Sequence, residues 1–212
     1  MWPDVLRYAA TRLATLRVLA LVAAVVVVGM VLGSRTIDLR LGLTLLFALV
    51  AVWQLRLWDD LADRDFDRRH HPERVLVTTS SIALFVRLAV AMAVLAATLL
   101  IAQQNLHGAL LYVALLLAFG GMYASTTLAR HRLARCHLVN AKYPVLALLC
   151  VQPPLRPVWL PALVFFYAGL CLIELLDDRT LARDAGRTFA LGVHACMALG
   201  AAALWIAGGS AR

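Results

Sequence analysis

At 212 residues the chain has the size of one soluble domain, but 63% of it is hydrophobic and only 15% charged, with a mean hydropathy of +0.83, far outside globular averages. That composition belongs to an integral membrane protein, and its apolar segments leave no length for a nucleotide-binding module, a DNA-binding domain or an extended disordered tail. The formal net charge is +8, and nineteen of the twenty basic residues are arginine; in short loops they set topology and meet anionic headgroups or phosphates rather than nucleic acid.

A helix needs about 20 residues to cross the hydrocarbon core, and hydropathy predicts seven such spans at roughly 15–33, 41–58, 80–102, 107–126, 139–152, 158–176 and 189–207. The first apolar run lacks a small-residue cleavage site and reads as a retained span rather than a signal peptide. The fifth is the shortest: it holds Lys142 and Tyr143-Pro144 near its start and ends at Pro153-Pro154. Those residues predict a kinked or partly re-entrant segment, with six spans as the alternative count. The expected fold class is all-α, a polytopic transmembrane helical bundle of about seven helices forming a single domain over 1–212.

Loop charge predicts orientation, because arginine and lysine in short loops stay on the cytoplasmic side. Arg7 and Arg12 precede span one with Arg17 at its start, and Arg56, Arg64, Arg68, Arg69 and Arg74 surround the loop after span two. Arg130, Arg132, Arg135 and Lys142 follow span four; Arg179, Arg183 and Arg187 follow span six. All four groups fall on one face, so the N-terminus and the loops after spans two, four and six are expected to be cytoplasmic, as in a multi-pass protein of a bacterial inner membrane. Cys136, Cys150, Cys171 and Cys196 are scattered with no CxxC spacing, a pattern that indicates neither a zinc site nor a disulfide framework.

Five of the twelve acidic residues, Asp59, Asp60, Asp63, Asp65 and Asp67, are packed into nine positions after span two. If helix two continues through them, Asp60, Asp63 and Asp67 stand at i, i+3 and i+7 on one face, where like charges repel unless a cation joins them. Hard oxygen ligands of this kind suit Mg²⁺, which is shared between one or two carboxylates and the phosphates of a substrate. A second group, Glu174, Asp177, Asp178 and Asp184, follows span six on the same expected membrane face. Carboxylates would hold the metal and arginines the phosphate oxygens. The bland alternative is a solvated acidic loop balanced by Arg64, Arg68, Arg69 and Arg74.

The run from Asp59 to Asp67, with His70-His71-Pro72-Glu73-Arg74 after it, resembles the first signature of the UbiA superfamily of intramembrane prenyltransferases, Asn-Asp-x-x-Asp-x-x-x-Asp followed by an Asn-Arg-Pro-x-Arg-like tail. Asp60, Asp63, Asp67, Pro72 and Arg74 match in identity and spacing, and Asp59 replaces the usual asparagine. Glu174-Leu-Leu-Asp177 with Asp178 sits where that family has its second Asp-rich motif, and Gly186-Arg187-Thr188-Phe189 is similar to the Gly-x-x-Thr-Leu-Pro stretch that follows. The departures are Glu174 for aspartate, Leu181 at the third acidic position, Ala190 for the proline, and seven spans where the family commonly has nine. Tyr123, Ser125 and Arg130 resemble the family's loop after span four.

The resemblance implies a Mg²⁺-dependent transfer of an isoprenyl group from a prenyl diphosphate to an aromatic or lipid-like acceptor, the tail lying among the helices in contact with membrane lipid. It implies metal binding by Asp60, Asp63, Asp67, Glu174, Asp177 and Asp178, with Arg64, Arg74, Arg130 and Lys142 on the diphosphate. The missing spans would leave one side to be closed by a partner or a second copy. The alternatives are a catalytically altered UbiA-like scaffold that binds a lipid or partner, and a CDP-alcohol phosphatidyltransferase, whose Asp-Gly-x-x-Ala-Arg signature is not found around Ala182-Arg183. His70 and His71 are candidate acid–base groups, and His194 either faces the cavity or satisfies a neighbouring helix.

Overall fold

The structure, a computed structural model, describes residues 2–33, 39–125, 132–151, 159–177 and 186–209, and all regular structure among them is helical. Helix α1, Trp2–Tyr8, runs on as a π-helical turn over Ala9–Leu13; α2 is Leu16–Leu32 and α3 Leu39–Ala62. Short helices α4, Arg64–His70, and α5, Val75–Thr78, lead into α6, Ile82–Ala102, and α7, Leu106–Ala124. The chain continues as α8, Arg132–Leu149, α9, Trp159–Asp177, and α10, Arg187–Gly209.

Among the described residues five helices are long and apolar enough to cross a membrane: Arg40–Ala62, Ile82–Ala102, Leu106–Ala124, Trp159–Asp177 and Arg187–Ala207. A sixth results if Trp2–Leu13 and Leu16–Leu32, bent by 64°, form one span. The sequence predicts seven. The segment expected at 139–152 falls in α8, which starts earlier and carries Arg135, His137, Asn140 and Lys142 in its first two-thirds. Those side chains keep the helix from being uniformly apolar, although it runs through Pro144. On the other helices valines and leucines such as Val86, Val90, Val94, Leu117 and Leu204 are exposed, which suits surfaces that face lipid tails.

The chain forms two compact units, Met1–Ala24 with Ile37–Leu111, and Val25–Thr36 with Tyr112–Arg212, the division falling within α2 and α7. In the first, α3 packs along α6, and a buried core of Tyr8, Leu13, Leu57, Val75, Leu76, Phe85 and Ala89 ties the N-terminal helix and α5 to that pair. Tyr8 meets Phe85 edge-on, with ring centroids 5.5 Å apart at 73°, the favourable arrangement for two quadrupoles. Near the opposite end of α3, the Thr44 hydroxyl lies 2.8 Å from Gln103 Oε1. The α6–α7 turn is closed by Gln104 at φ 60° and by Asn105, whose Oδ1 accepts from the Gly108 N–H at 2.8 Å, an N-terminal cap for α7.

In the second unit α9 packs along both α8 and α10. Leu175 and Ala190 are buried together with Leu133, Cys136 and Leu191 around them, and Arg187 Nε donates to the Leu175 carbonyl at 2.8 Å, joining the start of α10 to the end of α9. Gly29 lets the second half of α2 approach α8: a Cβ there would lie 2.7 Å from Cys150 Cβ and 3.0 Å from the Ala147 carbonyl oxygen.

Candidate functional site

The Asp-rich run sits where α3 gives way to α4. Backbone bonds from Asp63 N to Asp59 O, 2.9 Å, and from Asp67 N to Asp63 O, 2.8 Å, carry the helical pattern across the junction. Asp63 itself has ψ 1° instead of a helical value. The expected alignment therefore holds for two of the three aspartates. Asp60 and Asp67 line one cavity of about 370 Å³ together with Arg7, Tyr8, Thr11, Arg12, His71, Glu73, Arg74, Val75 and Leu76. Asp63 is half-buried at the junction and does not line it.

Both cavity aspartates are buried, and each is held by an arginine. Arg12 grips Asp60 in a two-point pair, Nε to Oδ2 at 3.0 Å and Nη2 to Oδ1 at 2.6 Å. Tyr8 donates its hydroxyl to the same Oδ2 at 2.8 Å. Burial, and then the adjoining Asp60 carboxylate, push the Tyr8 phenol well above its ordinary range, so it stays protonated and serves as a donor. Arg74 pairs with Asp67 at 2.5 Å. At the rim, Arg7 Nη2 donates to the Glu73 carbonyl at 3.3 Å and His71 Nδ1 lies 3.6 Å from Glu73 Oε1.

Counted by sign, the arginines and carboxylates of the lining balance: Arg7, Arg12 and Arg74 against Asp60, Asp67 and Glu73. A diphosphate brings several negative charges, so it would need an added cation here, and the hard oxygens of Asp60 and Asp67 fit Mg²⁺, which takes one or two carboxylates besides phosphate oxygens. The arginines are the complementary half, since guanidinium exchanges readily between carboxylate and phosphate partners of the same planar geometry.

The other expected site residues lie apart from this lining. Arg64 donates Nε to the Leu76 carbonyl at 2.9 Å, bracing α4 against α5. His70 stacks on Phe66, with centroids 4.0 Å apart. Glu174 and Asp177 are exposed on the last turns of α9, in the second unit. Lys142, in the same unit, is fully buried, its Nζ 5.7 Å from the centre of the Phe119 ring and 5.2 Å from that of Tyr143, both within cation–π range. Asp178, Arg130, Leu181 and Asp184 lie outside the described residues.

Two sets of residues escaped the sequence reading. Arg7 and Arg12 figure there as topology charges and Tyr8 not at all, although all three line the cavity. The scattered cysteines gave no hint of metal chemistry, yet Cys171 meets His137 and His194 inside the second unit. The chain matches no family model, no curated protein and no solved structure.

Proposed function

We propose that the chain is a UbiA-like intramembrane prenyltransferase whose cavity beside the end of α3 receives the diphosphate of an isoprenyl donor. The observation that carries this reading is the convergence of three positions of the resembling motif, Asp60, Asp67 and Arg74, with two arginines from the N-terminal helix on one cavity next to an apolar span. In this reading Asp60 and Asp67 would hold Mg²⁺; the resemblance assigns metal binding to Asp63 as well and, separately, to the second cluster of Glu174, Asp177 and Asp178. When bound, the metal supplies charge stabilisation to a departing diphosphate.

The protein's own groups do the rest. Arg12 and Arg74 leave their carboxylates for phosphate oxygens, and the carboxylates so released become free oxygen donors. Tyr8, protonated, offers a hydrogen bond at the same place. The apolar flanks of the spans hold the isoprenyl tail and keep water from an electron-deficient carbon. The acceptor is an aromatic or lipid-like molecule that enters from the bilayer, and the cavity faces the cytoplasm, the side on which arginine collects.

A second reading has an observation of its own. Both cavity aspartates are already neutralised by arginine, as in a scaffold that has kept the fold and lost catalysis. Release of inorganic diphosphate from labelled geranylgeranyl diphosphate by protein in liposomes, with Mg²⁺ and a panel of phenolic and lipid-alcohol acceptors, separates the two. Release that depends on Mg²⁺ and falls at least tenfold in Asp67→Asn supports the transferase. Binding of the donor without release supports the scaffold.

A further inference from the structure

A second cluster of ligating side chains lies away from the cavity, wholly inside the second unit. His137 projects from α8, Cys171 from α9 and His194 from α10, and their ligand atoms all lie within 4.8 Å of one another. Cys171 and His194 are buried, and His137 is half-buried. The two imidazoles are stacked, with centroids 4.6 Å apart and planes inclined by 21°. Polar side chains inside an apolar helical bundle are expensive, and three that converge from three separate helices need a common cause.

The hydrogen bonds define what each ring has to offer. His194 Nδ1 lies 2.8 Å from the Ala190 carbonyl oxygen, which fixes the proton on Nδ1 and leaves Nε2 with a free lone pair, the tautomer that metal-bound histidines adopt when the backbone holds their other nitrogen. His137 Nδ1 is buried and has no hydrogen-bond partner. An orphaned ring nitrogen of this kind costs about 1–3 kcal/mol, and coordination through it would remove that cost. Tyr167 braces the group: its hydroxyl donates to the His137 carbonyl at 3.2 Å, and its ring centre lies 5.8 Å from that of His194.

We propose that His137, Cys171 and His194 form a binding site for a borderline-to-soft transition-metal ion, Zn²⁺ or Cu⁺. Two imidazoles and a thiolate are the donor set such ions select over Mg²⁺ or Ca²⁺. Zn–N distances of about 2.0–2.1 Å and a Zn–S distance of about 2.3 Å put tetrahedral donors on the order of 3.3–3.6 Å apart. The donors, within 4.8 Å of one another, would draw together on binding, and the stacked rings would turn so that both in-plane lone pairs meet the ion. Cys171 loses its thiol proton to solvent as the metal–sulfur bond forms. Three protein ligands leave a fourth position open, as in catalytic rather than structural zinc sites. This site is independent of the proposed prenyl-diphosphate cavity.

The test is metal stoichiometry on the full-length protein purified in detergent without an affinity tag that binds metal. The protein is stripped with chelator, titrated with Zn²⁺ or with Cu⁺ buffered by a competing ligand, and dialysed. Close to one equivalent per chain of either ion is expected, with a thiolate-to-metal charge-transfer band when Co²⁺ replaces Zn²⁺. Cys171→Ser and His194→Asn should each lose that equivalent and the band, whereas Cys196→Ser, at an exposed cysteine on the same helix as His194, should keep both. Less than about a tenth of an equivalent of both ions on monodisperse wild-type protein overturns the proposal, whatever the variants do. So does a full equivalent that survives Cys171→Ser.

Discussion

Arg12→Gln probes the cavity at its most strongly bonded point. The substitution removes two charge-assisted hydrogen bonds to Asp60, at 3.0 and 2.6 Å, and leaves the carboxylate with the Tyr8 hydroxyl and the more distant charge of Arg56. A hydrogen bond to a charged group is worth about 1.5–3 kcal/mol, so two would give about 3–6 kcal/mol if nothing replaced them. The Arg12 side chain is 29% exposed and that of Asp60 11%; water takes up part of the first loss, and Asp60 escapes part of the second by accepting a proton. A net cost of about 2–3 kcal/mol remains, and for a chain of this length that corresponds to a fall of about 4–12 °C in apparent unfolding temperature. Thermal unfolding in one detergent, measured for Arg12→Gln, Asp60→Asn and the double variant, closes the cycle. The double variant should recover about 1–2 kcal/mol relative to the sum of the singles, because it leaves no uncompensated charge. Strict additivity, or a shift below about 1 °C for Arg12→Gln, would refute the claim that this pair holds the N-terminal helix to α3.

Four further outcomes follow from local geometry and are read in the same assay. Tyr8→Phe keeps the edge-on contact with Phe85 and loses one bond to Asp60, for a smaller cost of about 1–2 kcal/mol. Gly29→Ala drives a methyl to 2.7 Å from Cys150 Cβ, costing about 1–3 kcal/mol by overpacking, whereas Gly42→Ala meets nothing within 4 Å and should be neutral or slightly stabilising because alanine is the better helix former. Gln104→Gly relieves a left-handed backbone at φ 60°. It gains about 1–2 kcal/mol there, returns about half through the added freedom of the unfolded chain, and so should raise the unfolding temperature slightly.

What could be read from the chain depended on how far apart in sequence the cooperating residues lie. Spans at 80–102 and 158–176 are continuous apolar runs, and α6 and α9 follow them within two residues at each end. The Asp60–Asp67 relation is two helical turns, so spacing alone brings both to one cavity. Arg12 and Tyr8 reach the same place from 48 and 52 residues away, and no periodicity announces such a pairing. Cys171 likewise lies 34 residues after His137 and 23 before His194, so spacing rules built for local zinc loops pass over them. The segment around Lys142 was misjudged for a different reason. Hydropathy starts the span at 139, after Arg132 and Arg135 and with Lys142 near its start, but α8 begins at Arg132, runs through Pro144 and buries Lys142 against aromatic rings.

The most direct test of the cavity as a prenyl-diphosphate site is ligand-dependent stabilisation. Purified protein is heated with geranylgeranyl diphosphate, with and without Mg²⁺, and wild type is compared with Asp67→Asn and with Arg74→Gln. A ligand that binds only the folded state raises its stability by about 2.7 kcal/mol at one hundred times its Kd, or about 5–11 °C here. The account predicts that rise for wild type with Mg²⁺ present, a much smaller one without it, and none in either variant. An equal rise in all three proteins, or no rise for donors of any chain length in folded wild type, would contradict it.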